Sequence, residues 1–424
     1  MIETASAVRY TVIPRLGTQL AVKVEPRAEC MLYPQGQYEP ACGLRLYADQ
    51  EGIVRFQIRP AGECDELSRV VLECNAHGKV THHPIEFRVG KPTDKMPLPT
   101  QENRALKPKD ALIRPALSEG ELRRVSDEEL IQRGYPVRPN PEEAPNAFLT
   151  WRRSVMIPMT FVPPHPVPRR DIIRHRKKRK IDLATASTAE NSSNWSGFAL
   201  RGVTGAYDWV TGTWHVPTVT GETSASSDSL VWVGLDGDGT TDLVQAGTGQ
   251  NNTVMNLPGV PFPISFSTYF AWSEFLPQQP TLQQLTGFAI NSGDEIFVEV
   301  WVGFAGSGPI LSGFFGVMWL SNLTTSAFTS VYTPRSNTVV GGSEAEWIME
   351  RATFGKSLGD LADYGSAVLY NAYARRSNSP RHKGYVPYQS DTNRQITMVN
   401  GAKTLSAVTP IDPHSMRFTW NAFS

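Results

Sequence analysis

The stretch Glu295-Ile296-Phe297-Val298-Glu299-Val300-Trp301-Val302-Gly303-Phe304 constrains this chain more than any other. Its branched and aromatic residues alternate with a period of two, so Ile296, Val298, Val300, Val302 and Phe304 share one face of an extended strand. A helix would scatter those five around its circumference. Comparable strands are predicted at 264–275, 311–320, 344–350 and 366–372, and again near 395–399 and 415–420. Leu230-Val231-Trp232-Val233-Gly234-Leu235 runs into Asp236-Gly237-Asp238-Gly239, which predicts a tight turn built on acidic and glycine residues. Many strands with turn residues between them, and hardly a helical window, predict an all-β architecture of antiparallel sheets packed as a sandwich.

Charge divides the chain in two. Residues 1–190 hold 30 Lys+Arg against 24 Asp+Glu, and the remaining residues hold 11 against 17, so a formal net charge of zero conceals +6 and −6. The second part carries nine of the ten tryptophans and few basic residues, which argues against a nucleic-acid surface there. No apolar run reaches the roughly 20 residues that cross a bilayer, so no membrane span is expected. The chain opens Met-Ile-Glu-Thr-Ala-Ser, where no ordinary secretion signal is visible.

Three regions are expected. Residues 1–90 contain alternating runs at Gln19–Val24, Ile53–Ile58 and Ile85–Val89, which predict a small N-terminal β domain. Residues 91–185 are proline-rich and partly helical, a linker or propeptide-like segment. Within them Ser126-Asp127-Glu128-Glu129 predicts a capping box and a short helix ending at Gly134, after which Pro136, Pro139, Pro141 and Pro145 are expected to break the chain. The segment ends in a basic run, Arg169 to Lys180, in which eight of twelve residues are Lys or Arg. That run is either a solvated linker, a processing boundary, or an electrostatic strap onto the acidic part. Residues 186–424 form the main sandwich. All four cysteines, Cys30, Cys42, Cys64 and Cys74, lie in the first region at spacings that match no zinc pattern, leaving local disulfides or free thiols.

The main sandwich offers little conventional chemistry. It has no Gly-x-Ser-x-Gly elbow, no cysteine, no His-Glu-x-x-His run, and only His215, His382 and His414. Carboxylates and amides remain. In Glu344–Glu350 the two-residue period puts Glu344, Glu346, Ile348 and Glu350 on one face and Ala345, Trp347 and Met349 on the other. In Ile264–Phe275 it aligns Phe266, Thr268, Phe270, Trp272 and Glu274. Carboxylates beside aromatic rings suggest a binding groove; solvent-facing glutamates on a half-exposed sheet would give the same pattern. Asp236 and Asp238 read as turn residues rather than as metal ligands, because no twelfth-position glutamate or flanking helix completes a calcium loop.

A set of short motifs then occurs in one order. These are Asn194-Trp195-Ser196-Gly197, Trp232-Val233-Gly234-Leu235-Asp236-Gly237-Asp238, Leu243-Val244-Gln245-Ala246-Gly247, Ala271-Trp272-Ser273-Glu274-Phe275, Asn322-Leu323-Thr324-Thr325, Ala345-Glu346-Trp347-Ile348-Met349-Glu350 and Ala362-Asp363-Tyr364-Gly365. In that order, over about 190–400, the chain resembles the glutamic peptidases (eqolisins). The resemblance implies a bent, lectin-like sandwich and an acid-acting endopeptidase that cleaves polypeptides with no metal or other cofactor. It also implies an extracellular place of work. The family's catalytic pair falls on Gln245 and Glu350, and Trp272, Glu274, Glu346, Asp236 and Trp195 fall at positions lining or flanking the cleft. Two departures stand out: Phe270 occupies a place where the family carries an aspartate, and Arg351-Ala352 follows the catalytic glutamate. The basic segment before the sandwich is expected to cover the acidic groove, so residues 91–185 would act as an intramolecular inhibitor. The rival expectation is a carbohydrate- or peptide-binding sandwich without turnover, with Trp232, Trp272 and Trp301 stacking on sugar faces.

Overall fold

The computed structural model describes residues 3–4, 8–12, 17–39, 43–62, 64–90, 112–173, 189–221, 226–305, 313–333, 340–354, 357–377, 384–390 and 393–424. Two antiparallel sheets form the main sandwich. The first runs, in hydrogen-bonded order, Asn393–Asn400, Trp195–Arg201, Glu344–Glu350, Ser226–Leu235, Leu243–Met255 and Ile264–Leu276. The second runs Ser415–Trp420, Ser366–Arg376, Tyr207–His215, Glu295–Ala305, Gly313–Asn322 and Ala327–Tyr332. Between them lies one continuous core that includes Val210, Trp214, Val231, Val233, Val244, Val298, Val300, Trp347 and Met349. Period two explains the split. Ala345, Trp347 and Met349 enter this core, so Glu344, Glu346, Ile348 and Glu350 are turned onto the outer face of the first sheet.

The strand Leu243–Met255 was not predicted as such, because Gln245, Gly247, Thr248, Gly249, Gln250, Asn251 and Asn252 read as a polar, turn-rich stretch. It is a central strand, paired on both sides and buried along its whole length. Its polar side chains are tied laterally: Ser229 Oγ donates to Gln250 Oε1 at 2.9 Å, and Trp214 Nε1 to Thr248 Oγ1 at 3.0 Å. Ladder bonds from both neighbours outweigh the low intrinsic strand preference.

The front region forms a sheet of its own from Glu29–Pro34, Leu44–Tyr47, Cys64–Ala76, Lys79–Val89 and two short strands. Cys30 and Cys74 face each other across two of these strands and form a disulfide. Cys42 lies outside the described residues. The front region is not set apart from the sandwich. Ile53–Pro60 pairs with Ile264–Ser267, and Met255, Leu257, Ile264 and Phe266 join the front core.

Residues 112–173 carry more structure than their prolines suggest. Ser126 caps the helix Asp127–Gln132 by accepting from Glu129 N, and Gly134 follows with a left-handed φ of 75°. The reciprocal capping box closes one helix earlier, between Ser118 and Glu121. Pro145 does not break the chain. It opens the helix Pro145–Val155, where a missing N–H costs nothing in the first turn. That helix packs on the second sheet, with Asn371 Nδ2 donating to Thr150 Oγ1 at 2.8 Å. Nearby, Val137 N donates to Glu299 Oε1 at 2.7 Å. No helix among the described residues is long and apolar enough to cross a membrane.

Candidate active site

The outer face of the first sheet gathers the carboxylates. Strand pairing places Ala199, Glu346, Gly234, Gln245 and Glu274 in one row across five strands. A second row, four residues along, holds Trp195, Glu350, Leu230, Gly249 and Phe270. Between them runs a row of Gly197, Ile348, Trp232, Gly247 and Trp272. Gln245 and Glu350 therefore share a face, two strands across and four residues along from each other, with the Trp232 row between. Gly234 keeps the Gln245 row open, since a Cβ there would lie 3.0 Å from that of Gln245.

Hydrogen bonds fix the polar groups. Gln245 Nε2 donates to Glu274 Oε2 at 2.5 Å. Gln245 Oε1 is buried and has no hydrogen-bond partner among the described residues. Trp232 Nε1 donates to Glu350 Oε2 at 2.8 Å, and the Trp195 ring meets the Trp232 ring edge-on at 5.2 Å. The Glu346 carboxylate reaches under the turn at Gly237. Gln245, Glu274 and Glu346 are wholly buried and Glu350 is 1 % exposed, so these are not the solvent-facing glutamates that the alternation also allowed.

Asp236 departs from expectation. It is buried at the end of its strand with φ of 66°, and both its oxygens are taken by the opposite loop: Gly342 N at 2.6 Å, Ser343 N at 2.7 Å and Ser343 Oγ at 2.8 Å. Burial and the neighbouring Asp242 push its carboxyl up to about 6. It fastens a turn rather than facing the cleft, because a buried carboxylate is stable only where donors converge on it. The sugar-stacking trio also disperses. Trp232 and Trp272 are buried on this face, whereas Trp301 pairs with Trp209 in the second sheet.

Three groups were missed in the sequence. Asp228 lies one alternation before Leu230 on the same face, 1 % exposed, accepting from Ala352 N at 3.1 Å. Burial pushes its carboxyl up to about 7, against the pull of that N–H and of Arg169; the Glu350 charge pushes it further up. Extending the Leu230–Leu235 alternation upstream would have found it. The other two are Arg169 and Ile172, on the strand His165–Ile173. That strand pairs with Thr281–Thr286 and reaches Phe354 just beyond Glu350. Ile172 is fully buried among Ala199, Leu230, Trp232, Phe270, Trp272 and Ile348, which are side chains of the carboxylate-bearing face. Arg169 opens the basic run that was expected to cover the acidic groove, but nothing local gives it this position, and nothing local marks Ile172; the tertiary pairing places both. Among the described residues no group of three or more His, Cys, Asp or Glu is arranged to hold a metal ion.

Comparison with known proteins finds a matching family. The model of the Peptidase A4 family matches residues 193–417. Aspergillopepsin-2 of Aspergillus niger is 30% identical over 223 residues, covering 48% of this chain and 71% of that protein. Of solved structures, scytalido-glutamic peptidase with a transition state analog inhibitor is 22% identical, with a TM-score of 0.40 over 54% of this chain and 99% of that one. SCP-B, an eqolisin in complex with the tripeptide Ala-Ile-His, is 20% identical with a TM-score of 0.38 over the same shares.

Proposed function

The chain belongs to the Peptidase A4 family and is an acid-acting glutamic endopeptidase; from that premise we propose that Glu346 and Gln245, which share a row, carry the hydrolysis in place of the expected pair of Glu350 and Gln245, and that the strand His165–Ile173 holds the enzyme latent. Glu346, ionised, takes a proton from the attacking water and returns it to the leaving amine. Gln245 offers a neutral amide, whose carbonyl positions the water and whose NH₂ donates to the developing oxyanion. A carboxylate base with an ordinary value near 4.3 works in the acidic range. The observation that carries this reading is that Glu346, Gln245 and Glu274 share one row of a buried sheet face, with Gly234 between Glu346 and Gln245, whereas Glu350 lies four residues along, roughly 17 Å from Gln245 between Cα atoms, with the Trp232 row between.

The resemblance favours a second assignment, Glu350, which accepts from Trp232 Nε1 on the same face. Substitution separates them. Each protein is incubated at acid pH and then given a denatured protein substrate across pH 2–7, with pepstatin and a chelator present. Glu346→Gln and Gln245→Ala are each expected to lower kcat by more than about a thousandfold, with Glu350→Gln retaining more turnover than either. If Glu350→Gln is dead and Glu346→Gln active, the base moves to Glu350. Full turnover by all three ends the Gln–Glu assignment, and glycan binding with no cleavage by the unmodified protein would put the sugar-binding reading in place of the peptidase.

Latency follows from burial. A groove whose reactive groups are at most 1 % exposed admits no peptide, and Ile172 is the apolar plug. Arg169, 1 % exposed, is paired with Asp171 at 2.9 Å and 3.0 Å and lies within the field of Asp228. Although burial pushes Asp171 up, Arg169 and then Arg45 hold it below the usual carboxylate range. A depressed value means its stabilisation is present above the unfolded value and is lost as pH falls through the folded one. As pH falls through the folded value of Asp171 the buried guanidinium thus loses its paired counter-charge, at a cost of about 3–5 kcal/mol, and the strand lets go. Incubation at pH 3–5 followed by amino-terminal sequencing tests this; full activity from an uncut chain with no lag refutes it. The Cys30–Cys74 disulfide supports an oxidising, extracellular setting for the work.

A further inference from the structure

The Arg169 side chain occupies a site made by the rest of the molecule. Its guanidinium lies 4.9 Å from the centroid of the Phe270 ring on one side and 5.3 Å from that of Tyr47 on another. Arg169 Nη1 donates to Gln284 Oε1 at 3.2 Å. The backbone is cut to fit. A Cβ on Gly249 would fall 2.2 Å from the Phe270 ring, so glycine there lets the ring lie flat over its own sheet. Phe270 lies on the strand of Glu274, four residues along and on the same face as Gln245, which puts the guanidinium site roughly 14 Å along the groove from that carboxylate.

We propose that this site, clamped by Tyr47 and Phe270 and bounded by Gln284, is a substrate subsite for a guanidinium side chain, filled here by Arg169 of the chain's own strand. The proposal rests on the peptidase reading and deepens it: the enzyme prefers peptides carrying arginine at the position that enters this subsite. The two rings supply faces and the amide oxygen an acceptor, a set that suits a flat cation better than an ammonium or an apolar chain. It also gives the front region a part in catalysis, since Tyr47 comes from Leu44–Tyr47, outside the main sandwich.

The full-length protein, activated by acid incubation, is given fluorogenic peptide sets in which each position in turn holds arginine, citrulline, lysine or leucine. Citrulline keeps the shape and loses the charge. At one position kcat/KM is expected to be at least about tenfold higher for arginine than for citrulline. That ratio, read within each variant, is expected to collapse toward one in Phe270→Leu, Tyr47→Leu and Gln284→Leu. A ratio near one at every position in the unmodified protein overturns the proposal while leaving the peptidase reading intact, provided a denatured protein is still digested. An arginine preference that survives all three substitutions overturns it as well. Absence of any cleavage removes the peptidase reading and this inference together. A synthetic peptide of residues 165–173 gives a measurement needing no variant: it is expected to inhibit, and to lose at least about tenfold in affinity when citrulline replaces the arginine at 169. Equal inhibition by both peptides overturns the proposal.

Discussion

Gln245 and Glu274 stand directly opposite each other on neighbouring strands, and the Gln245 amide donates to the Glu274 carboxylate at 2.5 Å. A carboxylate only accepts, so this contact fixes which end of the amide is nitrogen and which is oxygen. Gln245 Oε1 is thereby turned away from Glu274. Glu274 is thus a positioning residue for an amide that would otherwise be free to flip.

Glu274→Gln is therefore expected to lower kcat by up to about a hundredfold with little change in KM, since the reacting group is displaced rather than removed. Steady-state kinetics on one peptide, with circular dichroism to confirm folding, checks this. A fall confined to KM would mean that Glu274 binds substrate and does not orient Gln245.

Ile172→Asp puts a carboxylate into the apolar patch formed by Leu230, Trp232, Phe270 and Trp272. A fully buried isoleucine is worth about 1.5–3 kcal/mol, and the substitution forfeits that and adds an unpaired charge. The variant is expected to digest a denatured protein at pH 5 without the lag shown by the parent. An unchanged lag would show that the strand does not gate the site.

Stability should rise as the solution is acidified from pH 8 toward pH 5. Burial pushes Glu299 up to about 8 and Asp228 up to about 7, and raises Glu344 and Asp294 as well. Carboxyls whose folded values are raised bind more protons folded than unfolded, so their stabilisation is full at low pH and fades as pH climbs past the unfolded value. Thermal midpoints across that interval are expected to increase by a few degrees on acidification. Glu299→Gln, which keeps an acceptor for Val137 N, should flatten part of the slope. A midpoint that falls between pH 8 and pH 5 contradicts this account.

The Cys30–Cys74 disulfide joins strands separated by 44 residues in sequence. Replacing both cysteines by serine is expected to cost about 2–4 kcal/mol, read as an earlier denaturant midpoint for the front region. No shift would mean that the shared core with Met255, Leu257, Ile264 and Phe266 holds that region unaided.

Local patterning carried most of the architecture. Alternation located Ile264–Leu276, Glu295–Ala305 and Glu344–Glu350, and it told which of Glu346 and Trp347 would face the core. Where patterning failed, the stabilising partner lay elsewhere in the chain. Leu243–Met255 owes its conformation to neighbours on both sides. Pro145 opened a helix because its ring suits a first turn.

The order of motifs from Trp195 to Glu350 was written in the sequence and named the family and the reacting residue types, because each short motif is a local choice of backbone and side chain. The placement of Gln245 in a row with Glu346 and Glu274, the plug of Ile172 and the clamp of Tyr47 and Phe270 around Arg169 were decided by tertiary structure alone. Each depends on strand register and on pairings between residues scores of positions apart. A shift of one residue would turn every one of those side chains to the opposite face.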